Sequence, residues 1–236
     1  MATQSLIKAV TFDAAGTLMG VAEPVGESYA RIARSVGARL SAEELDAGFR
    51  QAFAQMPPMA FAPMDEASRL RCERDWWRTL VQRVVAHAGG VGAFDEFFNA
   101  LFSYYAGGAA WRAYPDARDA LTTARARGLA VAVVSNFDSR LPPILQALGF
   151  ADLVDIVVYS TACGSAKPDA GIFQYVLTSL AVPAQHALHV GDSLGADYRG
   201  ALAAGMTAVH LDRHARAAPA SIPTIGHLGQ LEKYYG

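Results

Sequence analysis

The chain has 236 residues, of which 52% are hydrophobic and 18% charged, so it can bury a full core. Twenty Lys and Arg against 22 Asp and Glu give a formal charge of -2, which argues against partners held by overall charge, such as nucleic acid or an anionic membrane. Only Cys72 and Cys163 are present, without a CxxC or Cys/His spacing, which argues against a disulfide framework and a zinc site. No apolar stretch approaches the ~20 residues of a membrane span and no leader pattern opens the sequence, so we expect a cytoplasmic protein.

The first predicted strand covers residues 7–12 and ends at Asp13, with a turn at 15–17. From about residue 25 to residue 105 the pattern is helical, with no convincing strand. Capping residues predict one helix from Ser41 toward Met56 and another from Asp65 to Ala88.

After Pro115 the sequence alternates between helical patterns and short apolar runs. The predicted helices are 116–127, 141–148, 169–180 and 196–204, and the predicted strands are 129–135, 153–159, 187–191 and 207–211. This alternation predicts an α/β fold with a doubly wound parallel sheet, a Rossmann-like core covered on both faces. The stretch 213–223 is rich in Ala and Pro and is predicted to be a loop.

Chemically active side chains stand where the predicted strands end. Since ligands of open parallel sheets bind at the carboxyl ends of the strands, we expect these side chains to converge. They are Asp13, Ser135, Asn136, Lys167, Asp192, Ser193 and Asp197.

Four segments together resemble the motifs of the haloacid-dehalogenase superfamily, in the family's order and over essentially the whole chain. They are FDAAGTL at 12–18, VVSN at 133–136, KPD at 167–169 and GDSLGAD at 191–197. The resemblance implies an α/β core at 1–18 and 109–236, with an all-helical cap at 19–108 inserted after the first strand. Ala15, the Gly-Asp-Ser motif and the Asp75-Trp76-Trp77 sequence of the cap look most like the REG-2-like branch.

The resemblance also implies a role for each matching residue. Asp13 would attack phosphorus to form an aspartyl phosphate, while Ser135 and Lys167 hold the phosphoryl oxygens. Asn136 and Thr17 would also bind substrate. Mg²⁺ would be held by Asp13, the backbone carbonyl of Ala15 and Asp192, with Asp197 and Ser193 supporting these ligands.

Ala15 departs from the pattern of the superfamily's phosphatases, which usually carry an aspartate there as general acid and base. A positioned general acid or base contributes a factor of about 10²–10⁴. We therefore expect a weak or specialised magnesium-dependent phosphatase, acting on a small phosphorylated metabolite, with a burst of product followed by slow turnover. The chain is expected to be a monomer or homodimer.

Two alternatives remain open from the sequence. A metal-free 2-haloacid dehalogenase shares the Asp-Ala-x-Gly-Thr-Leu motif, with Arg31 or Arg34 of the cap available for a substrate carboxylate. Against it, those enzymes usually have tyrosine at the position of Ala15 and asparagine at that of Asp192. The other alternative is a catalytically impaired member that binds a metabolite or protein, using cap aromatics such as Trp76 and Trp77 as a partner surface; the competing interpretation places those aromatics in the cap's own core.

Overall fold

A six-stranded parallel sheet forms the centre of the protein, whose computed structural model describes residues 7–215 and 219–236. The strand order is β5-β4-β1-β6-β7-β8, and each neighbouring pair is parallel. These strands are β1 Ala9–Phe12, β4 Ala130–Ser135, β5 Ile156–Tyr159, β6 Ala187–Gly191, β7 Thr207–Leu211 and β8 Thr224–Ile225. Two further strands, β2 Met19–Val21 and β3 Trp111–Ala113, form a separate antiparallel pair.

Alternate residues of the central strands enter two different hydrophobic clusters, one on each face of the sheet. Val10 and Phe12 of β1 lie in the cluster under helix α5 (Ala117–Ala126) and helix α6 (Leu141–Ala147), whereas Ala9 faces the other cluster. This is the side-chain alternation of a strand buried on both faces. The predicted doubly wound parallel sheet is confirmed.

The remaining helices complete the order along the chain. They are α1 Val25–Ser35, α2 Ala42–Ala54, α3 Glu66–His87, α4 Phe94–Ala106, α7 Ser160–Cys163, α8 Ala170–Leu180 and α9 Gly200–Ala203. The predicted caps are present: the Ser41 side chain accepts from the backbone N–H of Glu44 at 3.3 Å, and the Asp65 side chain accepts from that of Ser68 at 2.9 Å. Part of the predicted loop, 216–218, lies outside the described residues.

Two predicted elements differ from the structure. The strand predicted from residue 153 begins at Ile156, because Ala151–Leu153 forms a 3₁₀ turn and the Asp155 carboxylate accepts from the backbone N–H of Val131 at 2.8 Å. The helix predicted at 196–204 begins earlier, as a wide π turn over Leu194–Arg199 that continues into α9.

Helices α1 to α4 pack around a hydrophobic cluster of their own, between β2 and β3 in the chain. Trp76 belongs to this cluster and is 8% exposed, and Trp77 packs against it. Burial of Trp76 and partial burial of Trp77 weaken the interpretation of the cap aromatics as a partner surface. The predicted division at residue 18 puts the residues of β2 in the cap and those of β3 in the core, yet the two strands pair with each other. The division itself stays a prediction. Among the described residues, no helix is long and apolar enough to cross a membrane.

Candidate active site

Asp13 lies directly beyond the carboxyl end of β1 and is nearly buried. Its backbone N–H donates to the carbonyl of Val190 at 2.9 Å, which continues the pairing of β1 with β6. The Ser135 hydroxyl at the end of β4 donates to Asp13 Oδ1 at 3.1 Å, and Lys167 Nζ donates to the same oxygen at 2.6 Å. The structure therefore brings together the three residues that the sequence predicted as catalytic.

Lys167 bridges two carboxylates inside the protein. Its Nζ also donates to Asp197 Oδ1 at 2.5 Å, and the lysine is 5% exposed. Burial by itself would lower the pKa of Lys167, but the charges of Asp13 and Asp197 outweigh burial and raise that pKa. Lys167 is therefore held as a cation where an anionic substrate would need one.

Asn136, predicted to bind substrate, uses its amide group on the backbone of Lys167. The side-chain Oδ1 accepts from the Lys167 N–H at 2.7 Å, and the Nδ2 group donates to the Lys167 carbonyl at 2.9 Å. These two bonds fix the main chain from which the lysine side chain extends. Asn136 thus positions Lys167. Its predicted contact with substrate stays a prediction.

Three carboxylates, those of Asp13, Asp192 and Asp197, offer ligand atoms that all lie within 4.8 Å of one another. Lys167 contacts two of them and not Asp192. Burial raises the pKa of Asp192, and the charges of Asp13 and Asp197 raise it further, to about 6. Oxygen donors with surplus negative charge are the environment that Mg²⁺ prefers, so this donor set fits the predicted magnesium.

Because Gly16 has no side chain, the Asp192 carboxylate can pack against its backbone. Its φ is +91°, and a Cβ at this position would lie 2.5 Å from Asp192 Oδ2. A side chain here would therefore displace the carboxylate predicted as a metal ligand. Ala15, whose carbonyl is the other predicted ligand, has an exposed side chain.

Asp197 is fixed from behind by a histidine that sequence reasoning left without a role. His189 Nε2 lies 3.3 Å from Asp197 Oδ1, and His189 Nδ1 lies 2.7 Å from the hydroxyl of Thr11, its register partner on β1. Since a carboxylate only accepts, Nε2 carries the ring proton. Burial lowers the pKa of His189, which keeps the ring neutral. The sequence signal for this contact is that Thr11 and His189 are polar residues within otherwise apolar, buried strands.

The backbone of Ser193 also holds Asp197, donating to Oδ2 at 2.9 Å, while its hydroxyl caps the following π turn by accepting from Ala196 N–H at 3.1 Å. Burial would raise the pKa of Asp197, but the Lys167 charge and the His189 hydrogen bond hold it well below its usual range. Ser193 thus positions Asp197, and the predicted role of both residues in supporting the metal ligands stays a prediction.

Thr17, another predicted substrate ligand, is fully buried, and its hydroxyl has no hydrogen-bond partner among the described residues. The turn that carries it is closed by the Ala14 carbonyl, which accepts from the backbone N–H groups of Thr17, Leu18 and Met19. Buried hydroxyls are normally satisfied, so the Thr17 hydroxyl is available for a polar ligand or water.

A set of contacts between the cap and the loop after β4 was missed from the sequence. The Trp77 indole N–H donates to Asp138 Oδ2 at 2.5 Å. One helical turn earlier, buried Glu73 accepts from the hydroxyls of Ser139 and Thr161, each at 2.5 Å. The only sequence pattern that pointed here was the run of polar residues at 138–140.

An apolar pocket of about 80 Å³ lies between the helical cap and this loop. Most of its wall comes from α1, α3 and α4, together with Trp111 of β3 and Phe137, two residues beyond Ser135. Its one charged lining residue is Arg140, which binds Asp138 through Nε at 2.9 Å and Nη2 at 2.5 Å. Arg31 and Arg34, predicted for a substrate carboxylate, are both exposed, and Arg31 pairs with Glu23 at 2.5 Å.

The fold and the site define a parallel α/β protein with an aspartate-centred acidic site beneath a helical cap. The model of the family described as haloacid dehalogenase-like hydrolase matches residues 7–205, and the chain belongs to this family. The human haloacid dehalogenase-like hydrolase domain-containing protein 3 is 36% identical over 209 residues, covering 87% of this chain and 82% of the human protein. The Rhythmically expressed gene 2 protein of Drosophila melanogaster is 26% identical over 212 residues, covering 85% and 81%, in agreement with the predicted REG-2-like branch.

Solved structures of the family have the same fold. A haloacid-dehalogenase-type phosphatase from Thermococcus onnurineus is 26% identical, with a TM-score of 0.69 and coverage of 98% of both chains. Solved 2-haloacid dehalogenases at 20% to 24% identity share the fold, with TM-scores from 0.62 to 0.71. Neighbours with both chemistries are therefore present, and the choice between them depends on the site.

Proposed function

We propose that this protein is a magnesium-dependent phosphoric monoester hydrolase that works through an aspartyl phosphate at Asp13. The observation that carries the proposal is the trio of carboxylates within 4.8 Å, of which Lys167 contacts only two. A metal-free site would leave Asp192 beside two other acids, where like charges disfavour ionisation. A divalent cation bound there would neutralise these charges and those of a phosphate.

The residues of this chain have separate tasks in the proposed reaction. The Asp13 carboxylate attacks phosphorus as the bond to the leaving oxygen breaks, which gives an aspartyl phosphate and an alcohol or phenol. Lys167 and Ser135 already contact Asp13 Oδ1 and are close enough to bind the transferred phosphoryl oxygens. Water then attacks the aspartyl phosphate, releasing phosphate and restoring Asp13.

The Ala15 side chain has no proton to give or take in either step. Turnover should therefore be slow, and the second step slowest, because water attack lacks a base. The same feature suits a protein that has lost turnover, whereas a 2-haloacid dehalogenase usually has tyrosine at this position. Arg140 argues against the dehalogenase, since its guanidinium is already bound to Asp138 and is not free to hold a substrate carboxylate.

The experiment is hydrolysis of aryl and acyl phosphates by purified protein, with Mg²⁺ or with a chelator, in wild type and Asp13→Asn. A Mg²⁺-dependent burst followed by slow turnover, lost in Asp13→Asn, is the expected result. Strictly linear product release from the first turnover would contradict the missing-base argument. Halide release from 2-haloacids without metal would replace the proposal with the dehalogenase, and no activity of either kind would leave a binding protein.

Two broader expectations belong with this proposal. The partner is a small phosphorylated metabolite rather than nucleic acid or a membrane, and the protein works in the cytoplasm as a monomer or homodimer. The formal charge of -2 supports the exclusion of polyanionic partners.

A further inference from the structure

Two independent features of the site restrict the alcohol part of the substrate. One is the apolar pocket between the cap and the loop after β4, and the other is the alanine at position 15. We propose that the pocket holds a single neutral aromatic ring, so that the substrates are aryl phosphates. This inference rests on the proposed phosphatase function and specifies its substrate class.

Two residues of the pocket wall are linked through the backbone to the turn after Asp13 and to Ser135. Phe137, in its wall, donates its backbone N–H to the carbonyl of Ser135 at 2.9 Å, and the Ser135 hydroxyl contacts Asp13. Val21, also in the wall, ends the strand whose first residue, Met19, accepts from the backbone N–H of Gly16 at 2.8 Å. Phe137 is therefore two residues from Ser135, and Val21 is two residues from the end of the turn that follows Asp13.

The one charged group of the wall and one of its tyrosine hydroxyls are bonded to protein. Arg140 is bound to Asp138, which also accepts from the Trp77 indole N–H. The hydroxyl of Tyr105 lies 2.6 Å from that of Ser28. These groups offer no free charge to a ligand, and a wall of aromatic and aliphatic side chains favours an uncharged ring.

The volume limits the size of the occupant. About 80 Å³ is less than the roughly 150 Å³ of an engineered apolar cavity that binds benzene. A single ring therefore needs small movements of the lining side chains, and a fused pair of rings needs larger ones. Aliphatic Val81 of α3, which is 2% exposed, lines the pocket and controls its width.

The chemistry at Asp13 agrees with an aryl ester. As the bond from Asp13 to phosphorus forms, the bond from phosphorus to the ring oxygen breaks and its electron pair leaves on that oxygen. A phenol has a pKa of about 10, so the phenolate leaves without a protein acid and takes its proton from water. An alkoxide, about as basic as the conjugate base of water at 15.7, needs the acid that Ala15 lacks.

Binding of phosphonates tests the inference on the wild-type protein without depending on turnover. In benzylphosphonate and ethylphosphonate a CH₂ group replaces the ester oxygen of phenyl phosphate and methyl phosphate, so neither is hydrolysed. In calorimetric titrations with Mg²⁺ present, we expect benzylphosphonate to bind at least about tenfold more tightly, since roughly 1.4 kcal/mol of ring burial is enough for this ratio. Equal affinities would overturn the aromatic pocket and leave the phosphatase standing, whereas no binding of either would overturn both.

Substitutions at one position locate the ring. Val81→Phe fills the pocket and should reduce the affinity for benzylphosphonate to that for ethylphosphonate. Gln82→Phe, which adds the same ring at the neighbouring exposed position, should leave both affinities unchanged. Val81→Ala widens the pocket and should raise the affinity for naphthylmethylphosphonate relative to benzylphosphonate. This second variant keeps the test valid if Val81→Phe does not fold, and an unchanged ratio would place the ring elsewhere.

Discussion

Gly16 and Asp192 lie so close together that a methyl group on Gly16 would be 2.5 Å from the Oδ2 atom of Asp192. The Gly16→Ala variant should therefore lose Mg²⁺ binding and at least about 100-fold of any phosphatase activity, because one displaced metal ligand typically costs 10–100-fold or more. Gly37→Ala is the matched control: its φ is +80°, and an added Cβ meets nothing within 4 Å. Both variants should lose about 1–2 kcal/mol of unfolding free energy from backbone strain. Equal Mg²⁺ affinity in the two variants would argue against a metal at Asp192.

Ala15 is predicted to limit the rate of the reaction. The Ala15→Asp variant should raise kcat for aryl phosphates, by up to the factor of about 10²–10⁴ that a positioned general base contributes. Its side chain is exposed, so the substitution needs no space in the core. Ala15→Asn has nearly the same shape without the acid and should stay near the wild-type rate. If both variants gave the same kcat in steady-state assays, shape rather than proton transfer would explain the effect.

The pKa of Asp192 sets a pH dependence for metal binding. Burial and the charges of Asp13 and Asp197 raise this pKa to about 6, and Mg²⁺ binds only the ionised carboxylate. Protons therefore compete increasingly below pH 6, and affinity is fully present above it. Calorimetry should find Mg²⁺ binding about tenfold weaker near pH 5 than near pH 7.5. The same affinity at both values would mean that Asp192 does not coordinate the metal.

Glu73 joins helix α3 to the loop after β4, through Ser139, and to helix α7, through Thr161. Removing its carboxylate in Glu73→Ala leaves the buried hydroxyl of Thr161 and the half-buried hydroxyl of Ser139 without their acceptor, at about 1–3 kcal/mol for Thr161 and less for Ser139. We expect a loss of about 2–4 kcal/mol of unfolding free energy in urea titrations. Glu96→Ala, at an exposed position of α4, should change it by no more than about 0.5 kcal/mol. A loss as small as that of the control would mean that these bonds do not hold the cap to the core.

The sequence by itself determined five of the six strands of the main sheet and the residues that meet where they end. Strands β6 and β7 have the predicted bounds, because a strand buried on both faces is a continuous apolar run that local sequence reveals. Strands β2, β3 and β8 were missed, since two or three residues form no periodic pattern. Asp13, Ser135 and Lys167 were predicted to meet because parallel strands end at one edge of a sheet, and they do.

Only the tertiary structure decided how the cap contacts the core. The bonds from Trp77 to Asp138 and from Glu73 to Thr161 join residues 61 and 88 positions apart, and no local pattern records such a distance. No local pattern predicts either that the Asn136 amide hydrogen-bonds to the backbone of Lys167. The apolar pocket likewise exists only where four cap helices and the core meet. The meeting of the motif residues can be predicted because they stand where parallel strands end. Specificity cannot be predicted in this way, because it depends on side chains that long-range packing brings together.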